Sequence, residues 1–403
     1  MKRIGWIFLL FAACQTAKKE GNVAMFKDDL EFLQKHTRVL VIKSDDERSQ
    51  VIVAPSLQGR VMTSTADGLD GISFGWVNRE LIASGENNPH INAYGGEDRF
   101  WLGPEGGQFS IFFKAGDPFD LEHWFTPPPI NEGAYEVVEH SRKHVIFRKE
   151  MSLVNYSGTP FNLRLDRTVI LLTPEQIAER FHFTVSAALK ATAFESRNVI
   201  TNCGDNAWRK ETGLLSVWIL GMYNPSPKTT IVIPFKPGDE ETLGPKVNDA
   251  YFGKPPADRL AVRDSVLFFK GDGRLRSKIG INPKRAKNIL GSYDADLKLL
   301  TLVTFNQPEG VTDYVNSMWE IQEEPYAGDV VNSYNDGPAA PGAKPMGPFY
   351  ELETSSPAAA LAPGQSLEHI HATLHLLGDE RELDKISRRA LGVSLSEIVS
   401  ALP

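Results

Sequence analysis

Residues 349–378 read FYELETSSPAAALAPGQSLEHIHATLHLLG. On a strand, successive side chains point to opposite faces. In the first run Glu351 and Glu353 then share one face, about 6.6 Å apart, with Tyr350 and Leu352 on the other. In the second run His369, His371, Thr373 and His375 share a face, and Ile370, Ala372, Leu374 and Leu376 its reverse. Pro363-Gly364 lies between the runs and favours a turn. The stretch predicts two neighbouring strands that carry carboxylates and imidazoles on one wall.

The same period extends back along the chain. RVLVIKS (38–44), SQVIVAPS (49–56), HVIFRKEMSLVNYSG (144–158), GLLSVWILGMYN (213–224) and LKLLTLVTFN (297–306) all read as strands. So do GQFSIFFKAG (107–116), FHFTVSA (181–187) and TDYVNSMWEIQ (312–322). Nearly every run is bounded by Gly, Pro, Asn or Asp. Roughly fifteen strands with almost no helix between them predict a large all-β, antiparallel protein. Helical spacing appears only near the ends. Phe26, Leu30 and Leu33 predict a short N-terminal helix, and 379–403 predicts two C-terminal ones, the second with a capping box from Ser394 to Glu397. The long Gly-, Pro- and Asn-rich segment 324–348 reads as an ordered loop near a site.

The chain has 403 residues, 41% hydrophobic and 23% charged, which is ordinary globular composition. Its net charge of −8 and its lack of a Lys/Arg cluster give no electrostatic ground for binding nucleic acid. MKR opens the chain and IGWIFLLFAA follows. That apolar run is too short to cross a bilayer core of roughly 30 Å. It predicts a signal peptide over 1–13. Small residues directly before Cys14 are similar to a lipobox. That likeness implies a lipidated Cys14, a tether over 14–25 and a membrane-anchored protein of the cell envelope, periplasmic or outer-membrane. A plain signal peptide is the simpler alternative. The expected domain then spans 26–378, with a helical tail over 379–403. The remaining cysteine, Cys203, has no Cys or His beside it and reads as a buried, inert thiol.

Glu351 and Glu353 on a concave wall suit acid–base work, and otherwise form a solvent-facing strand. His369 and His371 are spaced to meet one zinc ion, with Glu351 or Glu353 as a third ligand. Contact with sugar, proton transfer and a purely structural role are the alternatives. His375 is about 20 Å from His369 along the strand, too far to join them. GGEDRFWLGPEGG (95–107) puts Glu97, Arg99 and Trp101 on one face. An arginine beside a tryptophan suits sugar, with donors for hydroxyls and a plane for the C–H face. GPEGG does not lead from a strand into a helix and is no nucleotide-binding loop. In 312–322, Asn316, Glu320 and Gln322 oppose Val315, Trp319 and Ile321. In RSKIGI, Arg276, Lys278 and Gly280 oppose Ile279 and Ile281. Lys278 reads as an electrophile or as a solvated surface lysine. Asp336, in the long loop, completes the polar candidates. No nucleophile motif appears, and no cofactor or metal is assigned.

Three segments carry a family resemblance. VIVAPSLQGRVMTS (51–64), YGGEDRFWLGPEGGQFSIFF (94–113) and ELETSSPAAALAPGQSLEHIHATLHL (351–376) resemble galactose-mutarotase-like, or aldose 1-epimerase-like, proteins. ETGLLSVWILGMYNPSP (211–227), RSKIGINPKRAKN (276–288) and GDVVNSYNDGP (328–338) resemble a bacterial lipoprotein family of unknown function within that superfamily. The resemblance implies an antiparallel β-supersandwich whose cup holds a sugar. It implies Glu353 as base on the anomeric hydroxyl and Arg99 as a sugar contact, with a histidine protonating the ring oxygen. The family's Asn-His segment corresponds to NVITNCGDNAW (198–208), which has no histidine. The acid would then be His369, His371 or Lys278. The expected partner is a mono- or oligosaccharide, bound by Arg99, Trp101, Lys278, Asn316, Glu320, Asp336 and Glu351. Three functions stay open: a sugar epimerase or mutarotase, a non-catalytic carbohydrate-binding lipoprotein of a glycan-uptake system, and a metal-dependent lyase or hydrolase.

Overall fold

A computed structural model describes residues 23–340 and 342–403. The expected signal peptide, Cys14 and most of the tether lie outside the described residues. Three antiparallel sheets account for the described strands. The first holds β1 (Leu40–Lys43), β2 (Gln50–Ala54) and β3 (Arg60–Thr65). The other strands are β4 (Arg99–Gly103), β5 (Glu136–His140), β6 (His144–Val154), β7 (Pro160–Leu171), β8 (Leu189–Asn202) and β9 (Ser216–Tyr223). They continue with β10 (Thr229–Pro234), β11 (Leu260–Val262), β12 (Val266–Lys270), β13 (Ser277–Ile281), β14 (Ile289–Asp294) and β15 (Leu299–Phe305). The last are β16 (Val331–Asn335), β17 (Tyr350–Ser355) and β18 (Ser366–Gly378). A ten-stranded sheet runs β11-β12-β10-β14-β15-β18-β8-β7-β6-β5, and a five-stranded one β13-β16-β17-β9-β4. The all-β, antiparallel class read from the sequence is borne out.

The five-stranded sheet packs its back against the ten-stranded sheet. Tyr350 and Leu352 of β17 join Ile279, Val331, Ile231, Phe269 and Val303 in one apolar cluster. At the other end, Phe100, Leu102, Val217 and Ile219 pack with Phe147, Leu165 and Ile200. The ten-stranded sheet is buried on its outer face too. Ala372, Leu374 and Leu376 lie under helices Glu380–Ala390 and Leu395–Val399. The predicted box is present there: the Ser394 hydroxyl accepts from the Glu397 N–H, and Glu397 accepts from the Ser394 N–H. The N-terminal helix, Phe26–His36, also forms as its spacing predicts.

Several expectations need correction. β17 and β18 do not pair. β17 lies between β16 and β9, β18 between β15 and β8, so the Pro363-Gly364 segment carries the chain from one sheet to the other. The histidine row of β18 therefore faces the back of the five-stranded sheet. Segments 107–116, 181–187 and 312–322 form no strand. In the first and last, aromatic residues are buried by one another rather than laddered: Phe112 lies 5.7 Å from Trp124 and Phe113 5.2 Å from Trp319. Gln322 N–H donates to Gln108 Oε1 at 3.0 Å, joining the two loops. Ile321, read as core, is 64% exposed. Segment 324–348 contains β16, so it is not one irregular loop. Cys203 is exposed: Asn202 turns inward to donate to Leu361 O, so the next side chain points out.

Candidate functional site

The front of the five-stranded sheet looks into a cavity of about 290 Å³, at the lower end of the roughly 300–1,000 Å³ usual for small-molecule sites. Register builds its wall. Arg99 and Glu353 both stand opposite Leu220 of β9, while Tyr334 of β16 stands opposite Glu351 and Lys278. Period two then sends Arg99, Trp101, Trp218, Glu351, Glu353 and Lys278 to this one face. The irregular loops close the sides with Glu105, Trp124 and Trp319.

The charges on the wall are arranged as pairs. Arg99 Nη2 lies 3.1 Å from Glu351 Oε1, and its guanidinium sits 4.1 Å above the Trp101 ring. Lys278 Nζ lies 3.2 Å from Glu353 Oε2, which also accepts from Trp218 Nε1 at 2.9 Å. Burial opposes the charge of Lys278, but Glu353, Glu105 and Glu351 outweigh it and hold its pKa above the ordinary value. Burial pushes Glu351 up, and Arg99 only partly offsets this. Burial likewise raises Glu105, again against Lys278. Asp336 is pushed up to about 6 by burial, although Gly347 N–H and Tyr334 OH both donate to it. Several buried polar atoms of this region have no partner among the described residues: Arg99 Nε and Nη1, Trp101 Nε1, Trp124 Nε1 and Glu353 Oε1. A buried polar atom without a partner is costly, and the first four belong to residues that line the cavity.

The structure brings together Arg99, Trp101, Lys278, Glu351 and Asp336 along the cavity, with Glu353 fully buried in the wall beneath. It does not bring in Asn316 or Glu320. With no strand over 312–322 their shared face is lost: Asn316 accepts from Met318 N–H, and Glu320 is exposed. Glu97 precedes β4 and turns to the back, where Ser64 donates to it at 3.0 Å and His375 Nε2 lies 2.7 Å away. His369 and His371 are also at the back. Both contact Thr354 Oγ1, at 2.8 and 2.9 Å. Burial drives them down to about 3 and about 4. They do not reach Glu353, because β17 sends Glu353 forward and Thr354 back. The third ligand that a zinc site would need is therefore on the wrong side of the sheet. Among the described residues no group of His, Cys, Asp or Glu is arranged to hold a metal.

Sequence reasoning missed Glu105, Trp124 and Trp218. Glu105 lies in a glycine-rich run with no alternation to give it a face. Trp218 lies on a strand that is apolar on both faces, so alternation does not mark it, and Trp124 lies in an irregular segment.

Residues 24–402 match the model of DUF6786, a family of unknown function. The chain belongs to that family. No curated protein matches the sequence. Among solved structures, this DUF6786 member is similar to the Slr1438 protein of Synechocystis sp. PCC 6803. The identity is 13%, over 85% of this chain and 96% of that one, with a TM-score of 0.50. It is also similar to a galactose mutarotase related enzyme from Lactobacillus acidophilus, at 11% identity over 84% and 97% of the chains with TM-score 0.47. A galactose mutarotase-like protein from Lactobacillus casei ATCC 334 is 11% identical over 84% and 100%, with TM-score 0.45. These likenesses are of fold alone.

Proposed function

We propose that the protein binds carbohydrate in the tryptophan-lined cavity. The observation that carries this reading is the Arg99–Trp101–Glu351 corner, a guanidinium on an indole with a carboxylate beside it and three donor nitrogens unpartnered. Indole planes suit the C–H faces of a pyranose, and fixed donors and acceptors suit its hydroxyls. Calorimetric titration with a panel of mono- and oligosaccharides tests it. At least one should bind, and Trp101→Ala should weaken it roughly tenfold. A protein that binds none of them ends this reading.

A second reading, acid–base catalysis, rests on the Lys278–Glu353 pair. In sugar ring opening, Glu353 would take the anomeric O–H proton while Lys278 gives one to the ring oxygen as the C1–O5 bond breaks. Reclosure on the other face returns both protons. Glu353 is wholly buried behind Lys278 and Trp218, which ranks binding ahead of catalysis. NMR of anomer interconversion decides between them: catalysis that disappears in Glu353→Gln supports the second reading, and no catalysis leaves binding alone.

From the sequence around Cys14 we also infer a lipid-anchored envelope protein. Cys14→Ser should move the protein from the membrane to the soluble fraction. Unchanged membrane association would discard the anchor.

A further inference from the structure

We propose that the sugar taken by this cavity is an acidic one, and that Arg276 receives its anionic substituent. The inference rests on the carbohydrate reading above and adds the class of ligand. Arg99, Lys278, Lys344 and Arg276 border the cavity. Arg99 pairs with Glu351, Lys278 with Glu353, and Lys344 with Glu80 at 3.3 Å. Arg276 has no ion pair among the described residues. Its guanidinium is nevertheless held, 3.8 Å over the Phe252 ring. It is half-buried at the cavity edge. Asp336 and Glu105 feel its charge without pairing with it, and a guanidinium fixed on an aromatic face and outside any ion pair is prepared to bind a planar or tetrahedral oxyanion, because little of its rotamer freedom remains to be lost.

The unpartnered atoms point the same way. Four N–H groups of cavity-lining residues lack a partner, Arg99 Nε and Nη1, Trp101 Nε1 and Trp124 Nε1, against one acceptor, Glu353 Oε1. A sugar hydroxyl brings a donor along with its acceptor lone pairs. A carboxylate or sulfate supplies acceptors only, a phosphate nearly so, and each forms the stronger, charge-assisted bond, which suits this surplus of donors. The cavity's own carboxylates do not cancel this. Glu351 and Glu353 are each ion-paired, and Asp336 accepts from Tyr334 OH and Gly347 N–H. Burial keeps Glu105 above the usual carboxylate range, which lessens its repulsion of an anion.

The test is calorimetric titration of the purified protein with matched pairs. Glucuronate and galacturonate are set against their methyl esters, and glucose 6-sulfate and glucose 6-phosphate against glucose. At least one acidic sugar should bind about tenfold or more tighter than its neutral partner. The arm that does so identifies the anion as carboxylate, sulfate or phosphate. In Arg276→Gln the two members of that pair should bind within about threefold of each other, whereas Arg276→Lys should retain part of the preference. Equal or tighter binding of the neutral member overturns the inference while leaving the carbohydrate reading intact. So does a preference that persists in Arg276→Gln. Failure of every sugar to bind overturns the carbohydrate reading itself.

Discussion

The two faces of the five-stranded sheet are both buried and both meet charged or titratable groups, yet they do different things. On the front, Arg99, Glu351, Lys278 and Glu353 meet in pairs beside a cavity. On the back, Thr354 holds His369 and His371, and beyond them Arg167 Nη2 lies 2.6 Å from Asp98 Oδ1. The back is sealed by a second sheet, so burial holds His369 and His371 neutral, and its unpartnered atoms, Glu97 Oε1, Asp98 Oδ2, His369 Nδ1 and His371 Nε2, lie away from the cavity. On the front, Arg99 and Lys278 each lie against a carboxyl group, beside a cavity and with donors left over. A dense set of polar residues is therefore not enough to mark a site. The face that looks into empty volume marks it.

The largest expected effects come from breaking a buried ion pair on either face. Arg167→Met leaves Asp98 buried without its partner and should cost about 3–5 kcal/mol in urea unfolding. Lys278→Met on the front also leaves a buried carboxylate, Glu353, without its partner and should cost a similar amount. It should in addition abolish sugar binding, which Arg167→Met should not. If the two variants lose binding alike, the two faces do not differ in kind.

The next effect is titration. The His369 and His371 imidazoles are driven to about 3 and about 4, below the ordinary 6.5, so the unfolded chain takes up protons before the folded one. Their contribution is fully present above pH 6.5 and is lost as pH falls from 6.5 towards 4. Each group adds a slope of up to about 1.4 kcal/mol per pH unit in that window. Asp329 and Asp336, both raised to about 6, act in the opposite sense. They are present in every variant, so His371→Gln should flatten the acid limb by up to one proton. An unchanged limb would falsify the buried neutral state.

The smallest effect sharpens the boundary of the front. Glu320→Ala should leave stability within about 0.5 kcal/mol and sugar affinity unchanged, because Glu320 is exposed and away from the cavity. Weaker binding in calorimetry would extend the site beyond the sheet.

Much of this was legible in the sequence, though unevenly. Alternation sorted β17 and β18 correctly into faces: Glu351 with Glu353, and His369 with His371. It could not say which sheet each strand joins, because a Pro-Gly turn looks the same whether it closes a hairpin or carries the chain between sheets. The histidines were therefore placed on the wrong wall. Nothing local reveals that the polar face of β18 is covered by a second sheet. Arg99, Trp101 and Lys278 were found because they lie on strands. Glu105, Trp124 and Trp319 reach the cavity from irregular loops, where no period constrains the direction of a side chain.

Of the seven tryptophans in the chain, Trp101, Trp124, Trp218 and Trp319 line the cavity. The molecule thus carries its own optical reporter. A ligand entering the cavity changes the surroundings of most of the emitting indoles at once. Intrinsic fluorescence should therefore shift on binding, without any added label.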